Sequence, residues 1–213
     1  MSTDALLTLA QWFSPSFPVG AFAYSHGLER AIDAGVLRTA RDLQDWLEDF
    51  IEHGSGRNDV ILFAAAYRAP RDAVAEIDAT ARALAASSER LSETLEQGAA
   101  FARCVDAVWA TEVGARCYPV AVGCAAHRTG LPLAPTAEMF LHASVANLVS
   151  VAVRLVPLGQ TEGQAALAAL MPRIRAVAGE AREAGLDDLA GSCFALDIAA
   201  MQHETQYSKV FRT

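Results

Sequence analysis

The chain has 213 residues, 53% hydrophobic and 20% charged, with a formal net charge of -8. Such a length and balance suit one globular domain with a sizeable core. Its scattered lysines and arginines form no basic stripe that could grip a nucleic acid.

About a fifth of the residues are alanine, the best helix former, and no alternation of apolar and polar residues runs long enough for a strand. The expected class is therefore all-α, a single-domain bundle of about ten helices. The first cation is Arg30, so the apolar stretch 5–13 lacks the basic leader of a secretory signal. The longest apolar runs also read as shorter than the roughly 20 residues of a bilayer span. No membrane contact and a cytoplasmic setting are expected. Four cysteines without a CxxC pair read as free thiols.

Ser2 or Thr3 caps a first helix with Leu6, Leu9, Trp12 and Phe13 on its apolar face, and Pro15 and Pro18 end it in a packed turn. A second helix is expected over 22–34, stopped by Gly35. Thr39 and Asp42 resemble a capping box opening a third, in which Leu43, Trp46, Leu47, Phe50 and Ile51 keep the 3.6-residue period until Gly54 and Gly56. Two alanine-rich helices, 59–69 and 71–85, meet at Pro70 and should pack as antiparallel neighbours. Ser87 or Ser88 starts a sixth, through Leu91, Leu95, Ala102, Val105 and Trp109, and a seventh begins near Pro119.

Thr136 caps an eighth helix running to Val156. From Met139 to Val153 it is apolar on almost every side, which predicts a central strut surrounded by other helices. Thr161 with Gln164 repeats the capping-box pattern and opens a ninth helix, with Leu167, Leu170, Met171, Ile174 and Val177 inward and a kink at Pro172. A last helix over 187–203 leads into the tail ETQYSKVFRT.

Three segments carry polar chemistry. In the first, Tyr24, His26, Glu29 and Arg30 lie close together, and His26 and Glu29 would sit one turn apart on a helix. A carboxylate so placed could orient the histidine as a base for a helical small-molecule-binding enzyme. Alternatively, the polar groups of a helix start satisfy one another. No activated nucleophile, phosphate loop or dense ligand cluster accompanies them, which argues against catalysis.

In the second segment, NLVSVAVRLVPLGQTEGQ, Arg154 sits in an apolar helix and must be paired or placed at a boundary, since burying a lone guanidinium costs several kcal/mol, roughly. Either it bridges to a helix acid or it belongs to a recognition surface. The turn carrying Gln160, Thr161 and Gln164 is a solvated corner or a docking turn. In the third, Tyr207, Val210 and Phe211 interleave with Lys209 and Arg212, so the tail folds back on its own domain or orders in a partner's groove. The pairs Cys124 with His127 and His203 with Glu204 offer two metal ligands each, too few for a site. No cofactor is expected.

These segments resemble the urease accessory protein UreF family. FSPSFPVGAFAYSHGLERAIDAG is similar to the family's opening, NLVSVAVRLVPLGQTEGQ to its central signature and DIAAMQHETQYSKVFRT to its terminal one, in the family order. The resemblance implies a non-enzymatic, all-helical protein that dimerises and bridges UreD (also called UreH) to the nickel-carrying GTPase UreG. That assembly would support nickel insertion into apo-urease, whose active-site lysine is also carbamylated. Matched position by position, Tyr24, His26 and Glu29, then Arg154, Gln160, Thr161 and Gln164, then His203, Glu204, Tyr207 and Arg212 become the expected partner-binding residues, with 204–213 a partner-binding tail.

Overall fold

The computed structural model describes residues 1–213 as ten α-helices and two short 3-10 turns, with no strand. The helices are α1 (Thr3–Trp12), α2 (Leu28–Asp33), α3 (Ala40–Glu52), α4 (Ser55–Arg68), α5 (Val74–Ala83), α6 (Ser88–Trp109), α7 (Tyr118–Arg128), α8 (Leu133–Leu155), α9 (Gln160–Ala181) and α10 (Phe194–His203). The all-α class stands, and so do several expected caps. Ser2 Oγ accepts from Ala5 N at 3.2 Å, Thr39 and Asp42 close a full capping box, and Ser87 Oγ accepts from Arg90 N at 3.1 Å.

The buried centre differs from expectation. In α7 every residue from Pro119 to Ala126 is buried, and all of them are small or medium-sized. Gly123 lies against the Phe63 carbonyl of α4, where a methyl group would overlap it, so the missing side chain lets the two backbones meet. α8, the expected strut, buries one face against α9, α4 and α2 and leaves Ser150 and Arg154 exposed. Contrary to the reading of short apolar runs, α8 is long and apolar enough by length and composition to cross a bilayer, yet half of its apolar window is buried within the fold. Phe63 and Phe140 stack at 5.6 Å between α4 and α8, and Trp12, Phe101 and Trp109 meet edge to face.

Other boundaries shift for local reasons. Gly54 precedes α4 while Gly56 lies inside it, because a side chain at 56 would strike Phe50. The fifth helix shortens to Val74–Ala83, after a turn at Pro70 in which Ala73 N donates to Pro70 O. Thr136 is an interior residue of α8, not its cap; Pro132 precedes the helix, and the Thr136 hydroxyl bonds back to the Pro132 carbonyl at 2.7 Å. At the start of α9 the cap is Gly159, whose N–H donates to Glu162 at 2.8 Å, so Thr161 with Gln164 is not the capping pair. The α9 helix runs through Pro172. The last helix begins at Phe194, with only a 3-10 turn at Leu186–Asp188 before it.

The second helix is the largest departure, and it builds the site. Where one helix over 22–34 was expected, a 3-10 turn at Ala21–Ala23 gives way to extended backbone at Tyr24, and His26 and Gly27 both adopt left-handed conformations, φ 53° and 77°. A Cβ at Gly27 would come within 2.5 Å of Ala200 N on α10. Only glycine permits that crossing, and the chain therefore turns before α2 begins.

Candidate functional site

The opening loop, α2, the start of α6 and the tail form one clasp. On α6, Glu89, Glu93 and Glu96 fall at spacings of four and three residues and so share a face. Glu29 of α2 adds a fourth carboxylate. Each of the four binds the tail. Glu29 accepts from Val210 N at 2.7 Å and Phe211 N at 2.8 Å, one N–H on each oxygen. Glu89 receives Lys209 Nζ at 2.6 Å, Glu93 the Thr213 hydroxyl at 3.1 Å, and Glu96 both guanidinium nitrogens of Arg212, at 2.7 and 3.0 Å.

Backbone pairing completes the docking. Arg212 N donates to Ala23 O at 2.8 Å and Ser25 N to Thr213 O at 2.9 Å, while His26 N reaches the Thr213 hydroxyl at 3.2 Å. The tail thus satisfies groups that the bent opening loop could not satisfy itself.

His26 and Glu29 do not form the expected pair. The left-handed turn sends them apart: His26 Nε2 lies 2.6 Å from Glu93, and Glu29 faces His203 at 3.2 Å. His203 is fully buried, and its other nitrogen lies 2.7 Å from Glu89. Glu204 does structural work, accepting from the Ser88 N–H and hydroxyl at 2.7 and 2.8 Å to cap α6 from across the fold. Its carboxyl is held below the usual range by those two Ser88 bonds.

Burial penalises the Glu93 charge, but Arg90 at 2.6 Å and His26 outweigh it and hold the carboxyl at about 2. The Tyr24 phenol, buried and donating to Glu96 at 2.7 Å, is pushed above its ordinary range by burial and then by that bond. Arg212 stacks over the Tyr24 ring at 5.4 Å. Beside His26 lies a cavity of about 80 Å³, reached also by Asp59, Arg90 and Asp197. That is well below the roughly 300 Å³ at which small-molecule sites begin, so the enzyme reading loses both its catalytic pair and its pocket.

The central signature joins the clasp through its first half. Asn147 of α8 donates to the carbonyls of Ala21 and Tyr24 at 3.0 and 3.3 Å. Arg154 forms no ion pair; it bonds the Ser150 hydroxyl at 3.1 Å and lies over the Phe211 ring at 5.5 Å, exposed at the helix end. The choice between a buried bridge and a boundary position is thus decided for the boundary. Gln160, Thr161 and Gln164 are exposed on the first turn of α9, beyond the break at Pro157, and form no hydrogen bond to the clasp. Tyr207 and Val210 are the outward apolar groups of the tail, Tyr207 fully exposed. Along α10, Phe194, Ile198 and Met201 add an exposed stripe.

Residues 37–171 match the family model described as UreF. Over all 213 residues the chain is 67% identical to "Urease accessory protein UreF" of Roseobacter denitrificans, spanning 96% of that protein. The chain belongs to the UreF family. The Ruegeria pomeroyi protein of the same name is 52% identical over 209 residues, 98% of this chain and 96% of the relative, and that of Xanthobacter autotrophicus 49% over 222 aligned positions, 98% and 91%. The UreF family match begins after the opening loop and ends before the tail, so the clasp joins two flanking segments through α6 and α8, which lie inside it. The full-length relatives align across both.

Sequence reasoning missed Glu89, Glu93, Glu96, Arg90 and Asn147. The carboxylate spacing on α6 was a usable signal, since three acids on one helix face near a tail bearing Lys209 and Arg212 are complementary in charge.

Proposed function

We propose that this UreF-family chain acts in urease maturation as a non-catalytic helical adaptor. It bridges a UreD/UreH-type accessory protein to the UreG GTPase and so supports GTP-dependent nickel insertion into apo-urease. We further place it in the cytoplasm, as a homodimer without a resident cofactor. The observation that carries this reading is the division of labour within the clasp. His26, Glu29 and His203, the groups that chemistry would need, are engaged with one another's helices, while Tyr207, Val210 and the α10 stripe turn apolar surface outward. Rigidly held polar groups beneath exposed aromatic and aliphatic side chains are the arrangement of a docking face.

Tyr24, His26, Glu29, His203, Glu204 and Arg212 act in this reading by presenting the face, and Tyr207 by touching the UreD-type partner. Arg154 and the exposed Gln160, Thr161 and Gln164 offer a second surface on the α8–α9 corner, for UreG or for the second copy. An adaptor changes a GTPase only by binding one nucleotide state better than another. The test is assembly from purified proteins. Arg154→Ala combined with Tyr207→Ala should leave the helical content unchanged, weaken the complex with the UreD-type protein and UreG, and lower nickel occupancy of urease. Full assembly and full occupancy with both changes would refute the reading.

A further inference from the structure

His203 has no exposed surface, and its two nitrogens face two different carboxylates, Glu89 on α6 at 2.7 Å and Glu29 on α2 at 3.2 Å. A neutral imidazole has one N–H and one lone pair, so in either tautomer one of these carboxylates would meet a lone pair; only the doubly protonated ring donates to both. The same two carboxylates hold the tail, Glu29 through Val210 N and Phe211 N, Glu89 through Lys209 Nζ.

The charges around the ring balance in the same way. Lys209 from the tail offsets one carboxylate, and an imidazolium offsets the other. Among the remaining neighbours, Glu204 is turned to Ser88, and Glu93 is neutralised by Arg90 and His26 one turn along α6. Asp197 of α10 faces the cavity beside Arg90 and Asp59. A neutral His203 would leave one buried negative charge without a partner, at a cost that the tail relieves by leaving.

We propose that the tail is a strap fastened by the proton on His203: it closes over α2 and α6 while both ring nitrogens carry hydrogen, and it loosens when one is lost. By linkage, the docked tail is favoured at the lower end of the range in which imidazoles titrate, and a partner that captures the free tail releases a proton on binding. This regulates the surface assigned above, yet the device belongs to the isolated chain and is measured there.

The experiment is amide hydrogen exchange of Val210 and Phe211 in the full chain between about pH 5 and 8, corrected for the intrinsic rate, with α7 amides as the control for global opening. Protection at the two tail amides is expected to fall with rising pH by up to tenfold per unit, the limit for one linked proton, while α7 stays constant. His203→Gln should abolish the slope, and His26→Gln should keep it. A flat profile in the natural chain, or an unchanged slope in His203→Gln, overturns the proposal. Should that variant not fold, nitrogen-15 spectra of the natural chain decide: two protonated ring nitrogens while the tail is protected support the strap, and a neutral ring with the tail still protected overturns it. These outcomes are independent of whether any UreD-type partner binds.

Discussion

The α4–α7 interface and the tail clasp hold the molecule together by opposite means. Between α4 and α7 the contact is dry, small-residued and set by the absence of a side chain at Gly123. At the clasp nearly every contact is polar and long-range, and the backbone of one segment is satisfied by carboxylates of another. The first has nothing to gain from rearrangement, because any added volume is a clash. The clasp exchanges hydrogen bonds that water could also supply, so it can open locally while the core stays folded. Stability resides in one region and adaptability in the other, as an adaptor requires.

Breaking the core should produce the largest effect. Gly123→Val forces α7 away from the Phe63 carbonyl and is expected to cost roughly 3 kcal/mol, the upper part of the range for overpacking, with cooperative loss of all helices in a denaturant titration. At the clasp, Glu29→Ala removes the acceptor for two N–H groups and for His203. It should cost about 2 kcal/mol if those donors remain buried. Because they can reach solvent instead, the sharper expectation is local: exchange protection vanishes at Val210 and Phe211 and persists in α7.

Acid should separate the regions next. The folded Glu93 carboxyl sits at about 2 against an ordinary 4.5, so the native state favours its charged form. Its contribution is complete above about 4.5 and is lost as pH falls from there toward 2. Glu93→Gln should remove that part of the acid sensitivity, read as a flatter stability-against-pH curve below 4.5, and leave the rest. Smallest is Arg212→Gln. Its ion pair with Glu96 is largely solvent-exposed, so the stability change should be slight and reduced further by added salt.

The two regions were also unequally legible in the sequence. Ser87, Thr39 and Ser2 announced their helices because a cap is a local bond between residues three apart. The periodic faces of α3 and α6 were equally plain. Hydropathy pointed to α8 as the central strut because its apolar run is longest, whereas burial depends on how closely neighbours approach, and the small residues of α7 allow the closest approach. Helical spacing paired His26 with Glu29, but the left-handed turn at His26 and Gly27 is imposed by α10 crossing at Ala200, nearly two hundred residues away. Glu89, Glu93 and Glu96 looked like a solvated face because the groups that cover them come from the far end of the chain. The family signatures drew attention to Tyr24, His203 and Arg212, and the folded chain shows why these belong together.

Capture of the UreD-type partner by the full chain, natural and Tyr207→Ala/Val210→Ala, tests the central claim most directly, with exchange protection of the Val210 and Phe211 amides followed alongside. The expected result is a docked tail in both chains and loss of partner capture in the variant alone. Undiminished capture by the variant, with the tail still docked, would contradict the claim that the clasp exists to present that surface.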